Sequence, residues 1–253
     1  MKFGRPHRHF RRTDSTNAHA RELVEAGAPP GTVVTADEQT AGRGRQGRAW
    51  TAPAGKGLLY SAIMRPLDER HLLLPLAVPL AVCETAESLR TGIECQIKWP
   101  NDVWLDERKL AGILIEAKPQ DDWAVIGVGL NLSLAPNEFP PDLRETATSL
   151  FASSKGSRGK GRRSLPAVAP PTLPPTPLTA ARSLSRHLAR WVEADRDAIL
   201  AAWRARDALR GREISWRDGS GVADGIDDSG DLLVRGVGGE RFVLGAGEVH
   251  LRL

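Results

Sequence analysis

Cysteine is scarce in this sequence: Cys83 and Cys95 are the only two among 253 residues. They do not form a CxxC pair, and no Cys/His cluster has the spacing of zinc ligands. A disulfide framework or a structural zinc site is therefore not expected. Such sparing use of cysteine is typical of proteins from a reducing compartment, so we expect a cytoplasmic location.

Long apolar runs and a strong charge of one sign are also missing. No apolar segment follows Met1, and no run reaches the roughly 18 residues that span a membrane, so neither export nor membrane insertion is expected. The 35 Lys and Arg against 31 Asp and Glu give a net charge of +4. This mild excess suits an anionic substrate or a nucleic acid without choosing between them.

The hydrophobic fraction of 41% indicates a folded chain with one large domain, alone or with a small module. Apolar spacing and capping signals predict helices over 15–26, 72–89 and 183–208, the second with a late start near Pro75 or a kink at Pro79. Runs of β-forming residues predict strands over 31–39, 58–66, 95–99, 109–118 and 123–133. Short turns between the last three favour an antiparallel meander. The final stretch, 209–253, has the patterning of a small β-barrel.

Residues 151–181 differ from the rest of the chain in composition. They contain five Lys or Arg, six prolines and no acidic residue. Such a segment cannot bury a core, so we expect a mobile or loosely packed insertion over 152–180, most simply a linker.

A loop between two predicted strands, Gly42–Arg48, holds three glycines and three arginines in seven positions. Glycines let a backbone curl around a ligand, and guanidinium groups suit carboxylate or phosphate oxygens. The loop lacks a Walker signature and opens no helix, which excludes two common phosphate motifs. Taken alone, it could be an anion cradle, a solvated basic loop or a site for single-stranded nucleic acid.

A second informative stretch covers residues 97–117. Pro100, Asn101 and Asp102 predict a tight turn between strands, where the carboxylate could hold Mg²⁺ or simply cap the turn. Lys109 begins an otherwise apolar strand; it could be a solvated gatekeeper or a fixed positive charge aimed into a cleft. The residues alone leave both pairs of alternatives open.

In combination, these stretches resemble biotin protein ligases. The motifs are DSTN (14–17), EQTAGRGRQGRAW (38–50), KWPND (98–102), RKLAGILIE (108–116) and IGVGLNL (126–132). The resemblance runs from about residue 12 to 150 and resumes from about 211. It implies an α+β fold with a mixed, largely antiparallel sheet flanked by helices. It also implies a catalytic domain over 1–208 and an SH3-like β-barrel over 209–253.

The resemblance implies that biotin and ATP form biotinyl-5′-AMP, whose biotinyl group passes to a lysine of a biotin carboxyl carrier protein. Lys109 and Arg45 would be catalytic, Lys109 by stabilising charge at the α-phosphate. The implied biotin contacts are Ser15, Thr16, Asn17, Gln39, Gly42, Arg43, Gly44, Arg45, Lys109 and Gly112. The implied ATP contacts are Arg45, Arg48, Trp50, Asn101, Asp102 and Asn131, with Asp102 also a metal ligand. The expected cofactors are ATP and Mg²⁺.

The resemblance also bears on partners. Because the ligase motif begins at residue 14, there is no room before it for a DNA-binding domain, so we expect a monofunctional ligase without sequence-specific DNA binding and without membrane contact. A homodimer is compatible with the family. Two alternatives remain: a lipoate or octanoate ligase of the same fold, and a non-catalytic module that holds nucleic acid on its basic segments. Repulsion among the loop arginines predicts a loop that is open without ligand and closes over the adenylate.

Overall fold

The computed structural model describes residues 1–151, 174–245, 247 and 249–251. The helices are α1 (Thr16–Glu25), α2 (Leu74–Leu89), α3 (Pro177–Trp191) and α4 (Arg196–Ala205). The first seven strands are β1 (His7–Thr13), β2 (Val33–Gln39), β3 (Gly57–Met64), β4 (Gln96–Lys98), β5 (Asp102–Leu105), β6 (Arg108–Lys118) and β7 (Trp123–Asn131). They are followed by β8 (Glu213–Trp216), β9 (Gly219–Ile226), β10 (Leu232–Arg235), β11 (Arg241–Leu244) and β12 (His250–Leu251).

The larger sheet has seven strands in the order β1-β2-β3-β7-β6-β5-β4. Strand β1 runs parallel to β2, and every other neighbouring pair is antiparallel. The expected mixed, largely antiparallel sheet is therefore confirmed, and so is the meander that ends in β6 and β7. All strands predicted in this part of the chain are present, and each of their ends lies within two residues of the predicted end.

The two faces of the sheet are covered by different helices. Leu58, Tyr60 and Ala62 of β3 belong to the large core that also contains the buried residues of α2 and α3. The alternate residue Ile63 packs in a second cluster with Ala20 and Val24 of α1. Because side chains alternate along a strand, β3 is buried on both sides. Helix α1 covers only part of its face, and the candidate site lies beside the first turn of this helix.

Helix α2 is the most apolar segment of the chain. It begins at Leu74 with Pro75 in its first turn, follows a short 3₁₀ turn, and contains Pro79 in its interior. The segment His71–Leu89 is long and apolar enough to cross a membrane, which the sequence analysis did not foresee. Since 67% of its most apolar window is buried inside the fold, its composition fits a core helix.

The helix predicted over 183–208 is two helices, α3 and α4, separated by residues 192–195. Helix α3 also begins earlier than expected, at Pro177, with Thr176 as its N-cap. Ala180 and Ala181 are buried. The predicted insertion over 152–180 is therefore wrong at its C-terminal end; its residues 152–173 lie outside the described residues.

The C-terminal strands form a five-stranded antiparallel sheet in the order β11-β10-β9-β8-β12. Within the described residues its edge strands β11 and β12 do not pair, so the closed SH3-like barrel stays a prediction, as does a domain boundary at 208/209. This sheet contacts the first one through Trp99, whose Nε1 donates to the carbonyl oxygen of Gly230 at 3.1 Å. That contact adjoins the turn at Pro100.

Candidate active site

The candidate site, termed the groove, is the strip of the sheet face between the first turn of α1 and the loop that carries the three arginines. Gly112 of β6 lies opposite Gly129 of β7, and Gly127 of β7 lies opposite Ser61 of β3. Side chains from outside the sheet use the space above these glycines: Asn17 lies over Gly127, and Trp50 lies over Gly112 and Gly129.

One end of the groove consists of uncharged polar groups. Ser15 caps α1 by accepting from the backbone N–H of Ala18. Thr16 donates to Oε1 of Gln39 from its backbone N–H at 2.7 Å and from its hydroxyl at 3.0 Å. Ser15, Thr16 and Asn17 are buried. The structure therefore brings together Ser15, Thr16, Asn17 and Gln39, which are all among the predicted biotin contacts, and joins Thr16 to Gln39 directly.

Ser61 belongs to this polar end although the sequence analysis did not select it. Its buried hydroxyl donates to Oδ1 of Asn17 at 2.6 Å and lies 2.8 Å from Oγ1 of Thr16. Asn17 can lie this close to the sheet because Gly127 has no side chain: a Cβ there would be 2.2 Å from Asn17 Oδ1. A serine in an apolar strand gives no periodic signal, and only its place beneath α1 shows its role.

The arginine-rich loop folds back on itself as a hairpin. The backbone N–H of Gly44 donates to the carbonyl of Arg48 at 2.7 Å, and that of Trp50 donates to Gly42 at 2.9 Å. Gly42 is buried, and a Cβ there would lie 2.3 Å from the carbonyl oxygen of Trp50. A 3₁₀ turn over Arg45–Gly47 is its only helical feature, in agreement with the absence of a helix-opening phosphate motif.

Trp50 ends the loop and lies against the glycine pair of the groove. A Cβ on Gly129 would be 2.2 Å from Cε2 of its ring, and one on Gly112 would be 2.9 Å from Cζ3. The ammonium of Lys109 lies 5.8 Å from the ring centroid, within the range of a cation–π contact. The indole therefore forms a flat apolar surface beside a fixed positive charge.

The cationic groups at this end each have an oxygen partner. Lys109 Nζ lies 2.7 Å from Oδ1 of Asp102. Arg45 donates to Oδ1 of Asn101 at 3.4 Å, and Arg43 donates to Oε2 of Glu116 at 3.3 Å. Repulsion among the loop arginines is thus compensated by protein oxygens, and the loop lies against the sheet. The open loop expected without ligand stays a prediction.

The turn between β4 and β5 is held by Asn101. Its Nδ2 donates to the carbonyl of Ile113 at 3.0 Å, and Ile113 donates its N–H back to the carbonyl of Asn101 at 3.0 Å. With Nδ2 used in this way, Oδ1 of Asn101 is the atom that accepts from Arg45. The next residue, Asp102, lies beside Lys109. Strand β5 was not predicted, because it has only four residues and joins β6 through Asp106 and Glu107, both with positive φ but without the usual Asn-Gly or Asp-Gly signature.

Asn131 and Arg48, the remaining predicted ATP contacts, lie at the edge of the site. Asn131 is buried at the end of β7 and donates from Nδ2 to the carbonyl of Thr148 at 3.0 Å. Lys109 pairs through its backbone with the same 146–148 segment, so Asn131 supports the segment beside the site. Arg48 lies in the exposed half of the loop hairpin. No contact of these two side chains with ATP follows from this geometry alone.

Comparison with known proteins agrees with this arrangement. Residues 9–133 match the model of the biotin/lipoate A/B protein ligase family. A biotin–[acetyl-CoA-carboxylase] ligase of Mycobacterium tuberculosis is 37% identical over 253 residues, covering 95% of this chain and 87% of that protein. The chain belongs to the biotin/lipoate A/B protein ligase family. The matched segment contains α1, the arginine loop, β3 to β7 and thus every element of the groove.

Two further proteins show how much of this chain resembles known ligases. A bifunctional ligase/repressor BirA of Bacillus subtilis is 41% identical over 145 residues, which are 54% of this chain and 43% of that protein. The chain therefore spans less than half of that relative. A biotin protein ligase of Aquifex aeolicus, solved in complex with biotin and ATP, superposes with a TM-score of 0.73 at 28% identity and covers 98% of this chain and 99% of its own.

Proposed function

We propose that this ligase joins biotin to a specific lysine of a biotin carboxyl carrier protein, using ATP and a biotinyl-5′-AMP intermediate. One observation carries the proposal: the two chemically different ends that this reaction needs lie in one groove. Uncharged hydrogen-bonding groups line the end at α1, and Arg43, Arg45 and Lys109 line the end at the loop.

The polar end suits the head of biotin. A cyclic urea offers one carbonyl acceptor and two N–H donors, which hydroxyl and amide groups complement. Thr16, Asn17 and Ser61 supply such groups in buried positions, and Gln39 supplies one in a partly buried position. Gly42 and Gly112 are also proposed as biotin contacts, because Gly42 packs against Gln39 and Gly112 packs against Trp50 and Lys109, so both lie between the polar end and the cationic end.

The cationic end suits the reacting groups. In the first step a biotin carboxylate oxygen attacks the α-phosphorus of ATP, a new P–O bond forms, and the bond to the β-phosphate breaks as pyrophosphate leaves. Two anions must approach each other, so a fixed ammonium stabilises the transition state more than the separated reactants. Lys109 is the residue we propose for this function, with Arg45 beside it.

The second step needs positioning more than a catalytic nucleophile. The acceptor lysine attacks the acyl carbon of the mixed anhydride through its neutral amine, the acyl–O bond breaks, AMP leaves, and the amine proton passes to solvent. Trp50 is proposed to stack against the adenine, and Arg48, Asn101 and Asn131 to contact the rest of the nucleotide. The arginine loop would shield the anhydride from water and from other amines.

Magnesium fits this site only if protein and substrate phosphates bind the ion together. Within the described residues no group of three His, Cys, Asp or Glu side chains is placed to hold a metal. Asp102 is a single carboxylate beside the proposed phosphate position, and Mg²⁺ commonly uses one or two carboxylates together with substrate phosphates. We propose Asp102 as its protein ligand; the bound ion would neutralise phosphate charge.

The location and the partners of the protein are also part of this proposal. A cytoplasmic location, the absence of membrane contact and of sequence-specific DNA binding, and a homodimeric assembly all stay predictions. The relative from Bacillus subtilis is a ligase/repressor, so DNA binding is best tested directly with promoter fragments. Binding that is weak, salt-sensitive and indifferent to sequence would agree with a monofunctional ligase.

Intact mass spectrometry of a carrier domain tests the proposal. Incubation with the enzyme, biotin, ATP and Mg²⁺ should add one biotinyl group to the carrier, and omission of ATP should abolish the addition. Exchange of labelled pyrophosphate into ATP should depend on biotin and not on lipoate or octanoate. A lipoate-dependent exchange would overturn the substrate, and nucleic-acid binding without any exchange would overturn the enzyme.

A further inference from the structure

Glu116 is a carboxylate that the reaction scheme above does not use, although it touches both ends of the groove. It lies on β6, two residues beyond Leu114, with its side chain 24% exposed. Its Oε2 accepts from Nδ2 of Asn17 at 2.7 Å and from Arg43 at 3.3 Å, and its Oε1 accepts from Arg21 at 3.5 Å. One anionic group thus joins α1, the sheet and the arginine loop.

We propose that Glu116 is a positioning residue with two roles. It fixes the amide of Asn17, which sets the direction of the hydrogen bonds at the polar end, and it anchors Arg43, which holds the loop over a bound intermediate. This inference rests on the proposed ligase function, because it assigns the residue a role in that same groove.

The first role follows from counting protons around Asn17. Both hydrogens of its Nδ2 are used, one by Glu116 and one by the carbonyl of Leu114 at 3.4 Å. Its Oδ1 therefore faces Ser61, whose single hydroxyl proton is shared between this oxygen at 2.6 Å and Oγ1 of Thr16 at 2.8 Å. Because that proton is held between these two oxygens, the hydroxyl of Thr16 donates to Gln39, and the order of donors and acceptors at the polar end is fixed.

Rotation of the Asn17 amide by 180° would reverse this pattern. Nδ2 would then face Ser61, and the serine would accept from it and donate to Thr16 alone. A charged acceptor opposes this rotation, because hydrogen bonds to ionised groups are stronger than those between neutral groups. Glu116 therefore fixes, through Asn17, the order of donors and acceptors at the polar end.

The second role is weaker by the same physical reasoning. The Arg43–Glu116 ion pair has side chains 40% and 24% exposed. Pairs in such surroundings contribute little because water screens them. Loss of this pair should shift the loop equilibrium by about two- to fivefold, so the pair does not close the loop by itself. We therefore expect a moderate effect on retention of the intermediate.

Two substitutions separate these roles. Glu116→Gln keeps an oxygen that can accept from Asn17, but it presents that neutral oxygen to Arg43 and an amide NH₂ to Arg21. It should leave biotin affinity within about twofold and shorten retention of the adenylate about two- to fivefold. Glu116→Ala removes the contacts with both Asn17 and Arg43. It should weaken biotin binding about tenfold or more, and it should shorten retention of the adenylate by about as much as Glu116→Gln does.

The measurements are biotin titration calorimetry without ATP and the release rate of labelled biotinyl-adenylate from the isolated complex. Glu25→Gln is the matched control, since Glu25 accepts from Lys118 at 3.1 Å at the far end of α1; it should change neither value. Thermal unfolding checks that each variant is folded. If Glu116→Ala does not fold, Glu116→Gln still decides the loop role through adenylate release.

Unchanged affinity and retention in Glu116→Ala would overturn the inference. Equal loss of biotin affinity in both variants would overturn the assignment of the Asn17 role to an acceptor oxygen. Failure of the wild-type enzyme to bind biotin is a different result, because it would contradict the proposed function itself.

Discussion

The ammonium of Lys109 lies between an anion and an aromatic ring, 2.7 Å from Asp102 Oδ1 and 5.8 Å from the centroid of Trp50. Both partners fix the position of the charge before any substrate arrives, and a preorganised charge costs no reorganisation during the reaction. Asp102 also compensates the ammonium until phosphate oxygens can do so. Asp102 and Trp50 therefore hold Lys109 in place, and its ammonium can still exchange Asp102 for a phosphate oxygen.

Lys109→Ala should reduce biotin-dependent pyrophosphate exchange by about a hundredfold or more, because removal of one preorganised charged donor costs about 3 kcal/mol in the transition state. Lys118→Ala is the matched control: Lys118 also lies on β6 and pairs with carboxylates, Glu25 and Asp121, but at the other end of the strand. Near-normal exchange by the Lys109 variant would remove it from the catalytic role.

Gly129 determines where the Trp50 ring can lie. An alanine there would place its Cβ 2.2 Å from the ring, so Gly129→Ala should displace the indole and raise KM for ATP about tenfold with a smaller change in KM for biotin. In a Trp50→Ala background the same substitution should have little further effect, because the clash is gone. Additive effects in this double-mutant cycle would show that the glycine acts independently of the ring.

Among the elements, the arginine loop is the part of the site that we predict to move when ligand binds. Residues 40 and 41 are anchored by N–H donation to Thr13 and Asp14 at the end of β1, and Trp50 lies on the sheet. Between these anchors, the loop is held by its own hairpin bonds and by Arg43 and Arg45. Its closure therefore depends on a few exposed charged contacts, which bound phosphate would reinforce.

Arg43→Gly or Arg45→Gly should release the activated intermediate early. The expected result is biotin transfer to lysines of a bystander protein, measured by streptavidin blotting, at a rate several times that of the wild-type enzyme. Gln46→Gly is a control in the same loop: Gln46 has φ 55, a left-handed conformation that glycine adopts more easily. Selectivity equal to wild type in both arginine variants would contradict the closing loop.

The elements also show what the sequence could predict. Helices α1 and α2 and strands β2, β3, β6 and β7 follow from capping signals and apolar runs. Strand β1 does not, because its basic and polar residues lie exposed at the sheet edge and give no alternation. The site motifs were found by their order along the chain, whereas Ser61 and Glu116 depend on which strands become neighbours, which one sequence does not state.

For the whole molecule, the segment that leads into the second sheet pairs with β4, next to the turn at Pro100. Ile97 of β4 exchanges backbone hydrogen bonds with Arg206 and Ala208, and Asp207 lies between these two residues. Asp207 accepts from the N–H of Leu209 at 2.8 Å, while its Oδ2 is buried without a hydrogen-bond partner among the described residues. Burial raises the pKa of this carboxyl above its ordinary value, although N–H groups of Leu209 and Arg210 oppose the shift.

The raised pKa of Asp207 predicts a pH-dependent stability. Below the ordinary value of 3.8 the carboxyl is neutral in both the folded and unfolded states and has no effect. As pH rises, the unfolded state loses its proton first, so the free energy of unfolding falls until the folded carboxyl also ionises. Asp207→Asn should therefore be more stable than wild type at pH 7 but not near pH 3, measured by urea unfolding. A stability difference that is the same at both pH values would contradict this.

The central claim is that Arg43, Arg45 and Lys109 surround the point where the carboxylate of biotin meets the α-phosphate of ATP. A crystal structure with a non-hydrolysable analogue of biotinyl-5′-AMP tests it most directly. We predict that Lys109 Nζ lies within hydrogen-bonding distance of an oxygen at the acyl–phosphate linkage, with the loop closed over it and the ureido group beside Thr16 and Ser61. An analogue bound elsewhere, or bound with these three cationic side chains directed into solvent, would contradict the account.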